Sequence, residues 1–326
     1  MSSIYPWQIN GLGRLTQALE QERLPHAVLL LAKYGSGERQ FVQHWSQVLL
    51  CEKRIESEPC RQCKSCLLFN NNTHPDFIWI ETEEGKKQIS IQQVRDLSEK
   101  LTETSHQAGW RMVVIYQAER LTVNGYNALL KTLEEPGRKT HIVLVAADKS
   151  SIPATIISRC QQVSVDVNRR KQALDWLLSS GGENSKELCE AALSINHYVP
   201  LKAQHFLEQG GMAQLEEFLK LLIAVAEGKE PLTAIGKMIG NDVGTYWSLW
   251  EYIVTALIKQ QSLVENSQLL YHKELSKLAG MMNMQLLFKF RDELLYQNKQ
   301  FLDGVTLNIP MQVDFVADAW VKSRAR

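Results

Sequence analysis

"LLLAKYGSGERQF", residues 29–41, passes from an apolar run through a glycine-bearing turn into the start of a helix. That is the order of a phosphate-binding loop, in which lysine reaches the β/γ-phosphates and the next hydroxyl holds Mg²⁺. Aligned on G-x-x-x-x-G-K-[ST], Ala32 takes the first glycine position and Gly37 the second. Glu38 takes the lysine position and Arg39 the hydroxyl position. A unit charge pair near 4 Å is worth about 4 kcal/mol at an effective dielectric of 20, so exchanging lysine for glutamate changes the gross interaction by up to roughly 8 kcal/mol. That rivals the whole free energy of micromolar binding. A one-residue offset leaves Arg39 as a partial substitute. A hydrolysing site also needs an acidic residue at the end of a neighbouring strand. Here "MVVIY" (112–116) runs into Gln117 and Ala118, and Glu119 beyond them is expected to turn away. The stretch therefore predicts a nucleotide-binding shape with no ATP in its own site.

The surrounding chain supports an α/β reading. "HAVLLLA" (26–32), "FIWIE" (77–81), "RMVVIYQA" (111–118) and "HIVLVAA" (141–147) are strand-like apolar runs. Between them lie amphipathic helices. Phe41, Val42, Trp45, Val48 and Leu49 share one face over 39–51. Ser90 caps a helix carrying Ile91, Val94, Leu97 and Leu101. Tyr126, Leu129, Leu130 and Leu133 mark a third helix, closed by Pro136 and Gly137. Buried strands alternating with helices imply a parallel sheet covered on both faces. After about residue 166 the strand signal stops and helices follow, over 169–180 and 185–195. Further stripes run through Leu215, Phe218, Leu219 and Leu222, through Trp247, Trp250, Val254, Leu257 and Ile258, and through Ile309, Val313, Val316 and Trp320. They read as core seams. The expected organisation is an α/β domain over 1–166, a small helical domain over 167–208 and a larger helical domain over 209–326.

With 326 residues, 44% of them hydrophobic, the chain has enough material for such a multidomain core. A formal net charge of +0 argues against a large basic field that binds nucleic acid unaided. No apolar run is long enough to span a bilayer, and "MSSIYPWQIN" lacks the basic and apolar regions of a secretory signal. A cytoplasmic, reducing setting follows as the expectation, so the six cysteines should be free thiols or metal ligands. Cys51, Cys60, Cys63 and Cys66 fall within "CEKRIESEPCRQCKSC". Two C-x₂-C steps form a knuckle, Cys51 closes the shell, and four thiolates complete tetrahedral Zn²⁺ with no open position, the pattern of a structural ion. Cys160 and Cys189 stand alone and read as ordinary buried thiols.

"PHAVLL" (25–30), the four-cysteine insertion, "THPD" (73–76), "NALLKTLEEP" (127–136) and "ISRC" (157–160) together resemble the AAA+ clamp-loader subunits of bacterial DNA polymerase III, over essentially the full chain. The resemblance implies an AAA+ sheet domain with a zinc-binding insertion, a small helical lid domain and a C-terminal helical collar domain. The ATP-hydrolysing gamma and tau subunits of that family carry an intact loop and an Asp-Glu pair at the strand end. This chain departs from them at Ala32, Glu38, Arg39, Gln117 and Ala118. It also has Ala146 and Ala147 at the sensor strand, and Pro200 roughly where the lid arginine stands. It resembles the branch that does not hydrolyse ATP.

The same resemblance assigns Arg159, in "SRC", as an arginine finger acting in trans on a neighbour's ATP. Read from the residue alone, Arg159 is a surface ion pair worth under ~1 kcal/mol. The implied partners are the gamma/tau and delta subunits and, through the complex, the beta sliding clamp and primer-template DNA. The implied role is ATP-dependent clamp loading in replication, by a non-catalytic subunit of a DNA-directed DNA polymerase holoenzyme. Two other readings stand beside it. One is an active gamma-type ATPase. The other is a nucleic-acid-binding zinc ribbon, for which Arg61 and Lys64 offer a thin basic surface offset by Glu56 and Glu58.

Overall fold

The apolar runs become strands, and alternation within them assigns each side chain to a face. The computed structural model describes residues 4–102, 109–165, 170–180, 184–262, 270–302 and 308–325. The expected domain boundary at 166/167 lies outside the described residues. The chain divides into two compact units, Met1–Gln172 and Ala173–Arg326.

In the first unit the order is α1 (Ile9–Glu20), β1 (Ala27–Leu31), α2 (Glu38–Leu50), α3 (Lys64–Asn70), β2 (Phe77–Ile80), α4 (Ile91–Thr102), β3 (Arg111–Tyr116), α5 (Val123–Glu134), β4 (Thr140–Ala146), α6 (Ala154–Ile157), β5 (Gln161–Ser164) and the start of α7 (Arg170–Ser179). The strands form one sheet in the order β2-β3-β4-β1-β5, with every neighbouring pair parallel. In β1, Val28 and Leu30 join one buried cluster with Phe41, Val42 and Trp45 of α2. Ala27 and Leu29 join the other with Leu129 and Leu133 of α5. Both faces are thus covered, as the continuous apolar runs require. The predicted Ser90 cap is present: Gln93 N donates to Ser90 Oγ at 3.3 Å, and Ser90 N donates back to Gln93 Oε1 at 2.9 Å.

Among the strands, two differences from the sequence reading exceed a single residue. β5 is an additional strand. Of its four residues only Val163 is buried, so this edge strand has no apolar run to announce it. β3 ends at Tyr116, not at Ala118. Gln117 takes a left-handed conformation at φ 56°, and Ala118 opens a short 3₁₀ turn, Ala118–Arg120.

The second unit is helical: α8 (Lys186–Ile195), α9 (Pro200–Glu208), α10 (Gly211–Ala226), α11 (Thr233–Ile239), α12 (Val243–Gln261), α13 (His272–Ala279), α14 (Met284–Leu302) and α15 (Ile309–Lys322). Trp250 is its packing centre, with ring contacts to Phe218 at 5.4 Å, Phe290 at 5.5 Å, and Trp247 and Trp320 at 6.0 Å. The predicted stripes are buried except at Ile309, which is 39% exposed. Ile309 is the first residue of α15, one turn before that stripe meets its partners at Val313. No described helix is long and apolar enough to cross a membrane.

His141, fully buried in β4, bonds the Pro25 carbonyl through Nδ1 at 2.7 Å and packs edge-on against Trp45. Burial holds its pKa down at about 4, against an ordinary value of 6.5. The fold therefore favours the neutral ring. Its contribution is complete above pH 6.5, where the unfolded chain is also neutral. It is lost as pH falls towards 4, because the unfolded chain takes up the proton first. Urea unfolding across this window should show the native chain losing about 3 kcal/mol more than His141→Phe. Parallel pH profiles for the two proteins would disprove this role.

Candidate functional site: a self-filled phosphate loop, a thiol cluster and an edge arginine

The loop between β1 and α2 lies at the carboxyl ends of the strands, where open α/β sheets bind ligands. Gly35 and Gly37 both have positive φ, at 92° and 82°, so the turn uses left-handed backbone that favours glycine. At Gly37 a Cβ would also lie 2.3 Å from the Tyr5 ring. Such turns point successive N–H groups inward as an anion cradle.

In this chain the cradle holds its own carboxylate. Glu38, at the first position of α2, is 5% exposed. Its Oε2 accepts from Gly35 N at 3.0 Å and Ser36 N at 3.2 Å. Its Oε1 accepts from the Tyr116 hydroxyl at 2.7 Å. Glu38 thus does more than repel a phosphate, because it takes the donors a phosphate would use. Arg39 does not replace the missing lysine. Its guanidinium stacks over Tyr116 at 4.3 Å and Trp79 at 4.9 Å and pairs with Glu81. Ala32 is fully buried, and its N–H donates to Ala146 O at 3.0 Å. From the other side Trp7 Nε1 donates to Ser36 O at 2.7 Å, and Gln8 Nε2 to Gly37 O at 2.8 Å. The short 3₁₀ turn Pro6–Gln8 that precedes α1 therefore clamps the loop.

At the end of β3, Ala118 is buried in the core and carries no chemistry, while Gln117 occupies the left-handed turn. Glu119 is a correction to the sequence reading. It faces the loop and accepts from the Tyr34 hydroxyl at 2.6 Å. The left-handed Gln117 redirects the chain and brings Glu119 back. Tyr34, Tyr116, Trp79 and Glu81 were not singled out by the sequence. Their only signal is position, at the ends of strands or within the loop. Of the other positions where the chain departs from the gamma pattern, Ala146 ends β4 and Pro200 is the buried first residue of α9.

Cys51, Cys60, Cys63 and Cys66 come together, their sulfurs all within 4.8 Å of one another. Cys51 Sγ and Cys63 Sγ are 4.0 Å apart, against about 3.8 Å for the edge of a tetrahedron with 2.3 Å metal–sulfur bonds. Backbone N–H groups of Cys60, Cys63 and Cys66 donate to the sulfurs of Cys51, Cys60 and Cys63 at 3.3–3.4 Å. Arg61, with φ 62°, makes the knuckle turn. The Gln62 backbone N–H helps pull the Cys60 thiol down to about 6, while burial pushes Cys51 and Cys66 up. Soft donors in this geometry fit one metal ion with a closed shell, whose charge offsets the cost of ionising the buried thiols.

The cluster is tied to α2. Ser65 Oγ donates to Leu50 O at 2.6 Å and lies 2.9 Å from His74 Nε2. Asp76 N donates to His74 Nδ1 at 3.1 Å. That pattern leaves the proton on Nε2, so His74 donates to Ser65 and is not its base. "THPD" is therefore a strut between the cluster and β2. Of the lone cysteines, Cys189 is fully buried, whereas Cys160 is only partly so.

Arg159 follows α6 at the edge of the sheet, about a third exposed. It does make the surface ion pair expected from the residue alone. Nη2 lies 2.6 Å and Nε 2.9 Å from Glu134 Oε1, at the end of "NALLKTLEE". Two sequence motifs thus meet at one point.

Comparison with known proteins accounts for this combination. A family model described as DNA polymerase III, delta subunit, matches residues 7–168. The DNA polymerase III subunit delta' of Pseudomonas aeruginosa is 35% identical over 71% of this chain and 71% of its own length. That of Haemophilus influenzae is 34% identical over 71% and 70%. The DNA polymerase III subunit tau of Bacillus subtilis is 26% identical over 92% of this chain and 51% of its own length. With such identity over more than two thirds of both chains, this protein belongs to the delta-prime family of DNA polymerase III clamp-loader subunits.

Proposed function

We propose that this chain is the non-hydrolysing delta-prime member of a cytoplasmic clamp loader. It assembles with gamma/tau and delta subunits, and the complex uses their ATP to open the beta sliding clamp and place it on primer-template DNA. In this reading 1–166 is the AAA+ domain, 167–208 the lid and 209–326 the collar that joins the subunits. Arg159 is its one contribution to chemistry, a guanidinium offered to the γ-phosphate of a neighbour's ATP. The observation that carries the reading is Glu38 in the anion cradle. It supports a subunit that keeps the nucleotide-binding shape as a scaffold, and it speaks against a gamma-type ATPase. For the thiol cluster the reading is one structural Zn²⁺ held by Cys51, Cys60, Cys63 and Cys66. The segment over 52–58 buries little, so the ion replaces a hydrophobic core there. The same segment has no aromatic residue to stack on bases, which disfavours a nucleic-acid ribbon.

Nucleotide-binding, stability, metal-content and clamp-loading measurements test this. Calorimetry of the isolated chain with Mg-ATP should give no micromolar binding; such binding would defeat the scaffold reading. Glu38→Ala should lower unfolding free energy by about 3 kcal/mol, because two backbone N–H groups and the Tyr116 hydroxyl lose their acceptor. A change within experimental error would mean that the cradle does not depend on the carboxylate.

Elemental analysis of protein never exposed to chelator should find about one zinc per chain. Chelation should lower thermal stability without altering β-sheet content. Less than half an equivalent of zinc would remove the metal assignment.

Arg159→Ala should assemble normally, since a half-exposed ion pair contributes under ~1 kcal/mol. In a reconstituted complex it should reduce clamp-stimulated ATP turnover by at most one site's share if sites fire independently. It should also slow clamp loading. Arg159→Lys should rescue poorly, lacking the planar fork. Wild-type turnover and loading by the assembled Arg159→Ala complex would return the residue to a plain surface ion pair.

A further inference from the structure

We infer that Glu134 is a positioning residue for Arg159, holding the guanidinium so that its outward edge meets an acceptor on a neighbouring subunit; the inference rests on Arg159 acting in trans.

Arg159 is fixed at two levels. Its backbone leaves α6 with N–H donated to Ile156 O at 3.0 Å, and Ile156 is fully buried. The turn is thereby anchored to the core. The side chain is long and partly exposed, and such a group disperses over many rotamers unless polar contacts select one. Four contacts do so. Nε and Nη2 both donate to Glu134 Oε1. Nη1 donates to Thr155 O at 2.9 Å and lies 3.4 Å from Ser158 Oγ. Glu134 engages the side edge of the guanidinium, formed by Nε and the near hydrogen of Nη2. The group is planar and carries five N–H donors. Its second Nη2 hydrogen therefore points away from Glu134 and, with no further acceptor among the described residues, is open to one outside the chain.

The location of Glu134 is a second observation. It is the last residue of α5. Helix C-termini carry partial negative charge, and a carboxylate there is disfavoured by the dipole and better replaced by a cation. The helix nevertheless ends on an acid whose carboxylate faces Arg159 across 25 residues of sequence. Stability of α5 alone does not account for that choice, whereas orientation of Arg159 does.

The test uses complexes reconstituted with wild-type partner subunits and this chain as wild type, Glu134→Ala, Glu134→Gln, Arg159→Ala or the Glu134→Ala/Arg159→Ala double variant. Assembly, the KM for ATP and the clamp-loading rate on primed DNA are measured. Glu134→Ala should assemble with unchanged KM and load about 10-fold more slowly, as expected for a misoriented catalytic group. Glu134→Gln keeps an acceptor oxygen at the same reach and should recover most of the rate. The double variant should load no more slowly than Arg159→Ala, since the two act as a unit. If Arg159→Ala loads slowly while Glu134→Ala loads as wild type or faster, the finger stands and the positioning role is overturned. Additive losses in the double variant also overturn it. If Arg159→Ala loads as wild type, the trans reading fails and this inference goes with it.

Discussion

A buried carboxylate must find donors, and in this protein the donors nearest to Glu38 are those of a phosphate loop. That one interaction organises the end of the sheet. Glu38 draws the Gly35 and Ser36 N–H groups onto one oxygen and the Tyr116 hydroxyl onto the other. With Tyr116 fixed, its ring forms a face for Arg39, and Trp79 stacks on it at 5.4 Å. Arg39 is then committed to Glu81 at the far edge of the sheet. The Gly35 and Ser36 N–H groups and the Arg39 guanidinium, which a nucleotide could recruit, already have partners. The electrostatic argument from sequence put the obstacle at charge repulsion. The geometry puts it at occupancy, which is more severe, because repulsion is screened by solvent while an occupied donor has to be vacated.

The thiol cluster solves a different problem with the same economy of core. Between α2 and α3 the chain makes an excursion with few apolar side chains, so hydrophobic burial does not hold it. The N–H···S contacts of the knuckle and the Ser65–His74 strut hold it by polar contacts instead, and the four clustered sulfurs could add a metal ion. The two sites share α2, which begins at Glu38 and ends next to Cys51. The rigidity of that helix links the closed loop to the thiol cluster.

How much of this the sequence announces follows from the physics of each element. Period and burial are local, so the strands at Ala27–Leu31, Phe77–Ile80, Arg111–Tyr116 and Thr140–Ala146 and the helices between them are legible as apolar patterns. The cysteines are legible because few other arrangements explain that spacing. What escapes is set by neighbours distant in sequence. Gln161–Ser164 is a strand only because β1 offers it an edge. One oxygen of the inward-facing Glu38 is met by the hydroxyl of Tyr116, 78 residues away. Glu119 returns to the loop through a left-handed Gln117 that no propensity foretells. Ile309 belongs to its stripe by period, yet it stands at a helix start and is partly exposed.

A filled phosphate loop and a retained edge arginine are coherent as a pair. In a subunit that hydrolysed its own nucleotide, the loop would rearrange between occupied and empty states and carry the sheet edge with it. A loop whose anion is covalently part of the helix has no empty state. Under the proposed function, the sheet that positions α6 and α5, and through them Arg159 and Glu134, would not respond to nucleotide level. If Arg159 meets a neighbour's phosphate as proposed, it gains from a constant platform, because misplacement by a single ångström costs about 10²-fold in rate. If the proposed function holds, an unused nucleotide loop at one end of the domain and a trans-acting Arg159 at another are not separate features. The first removes a source of motion that the second cannot tolerate.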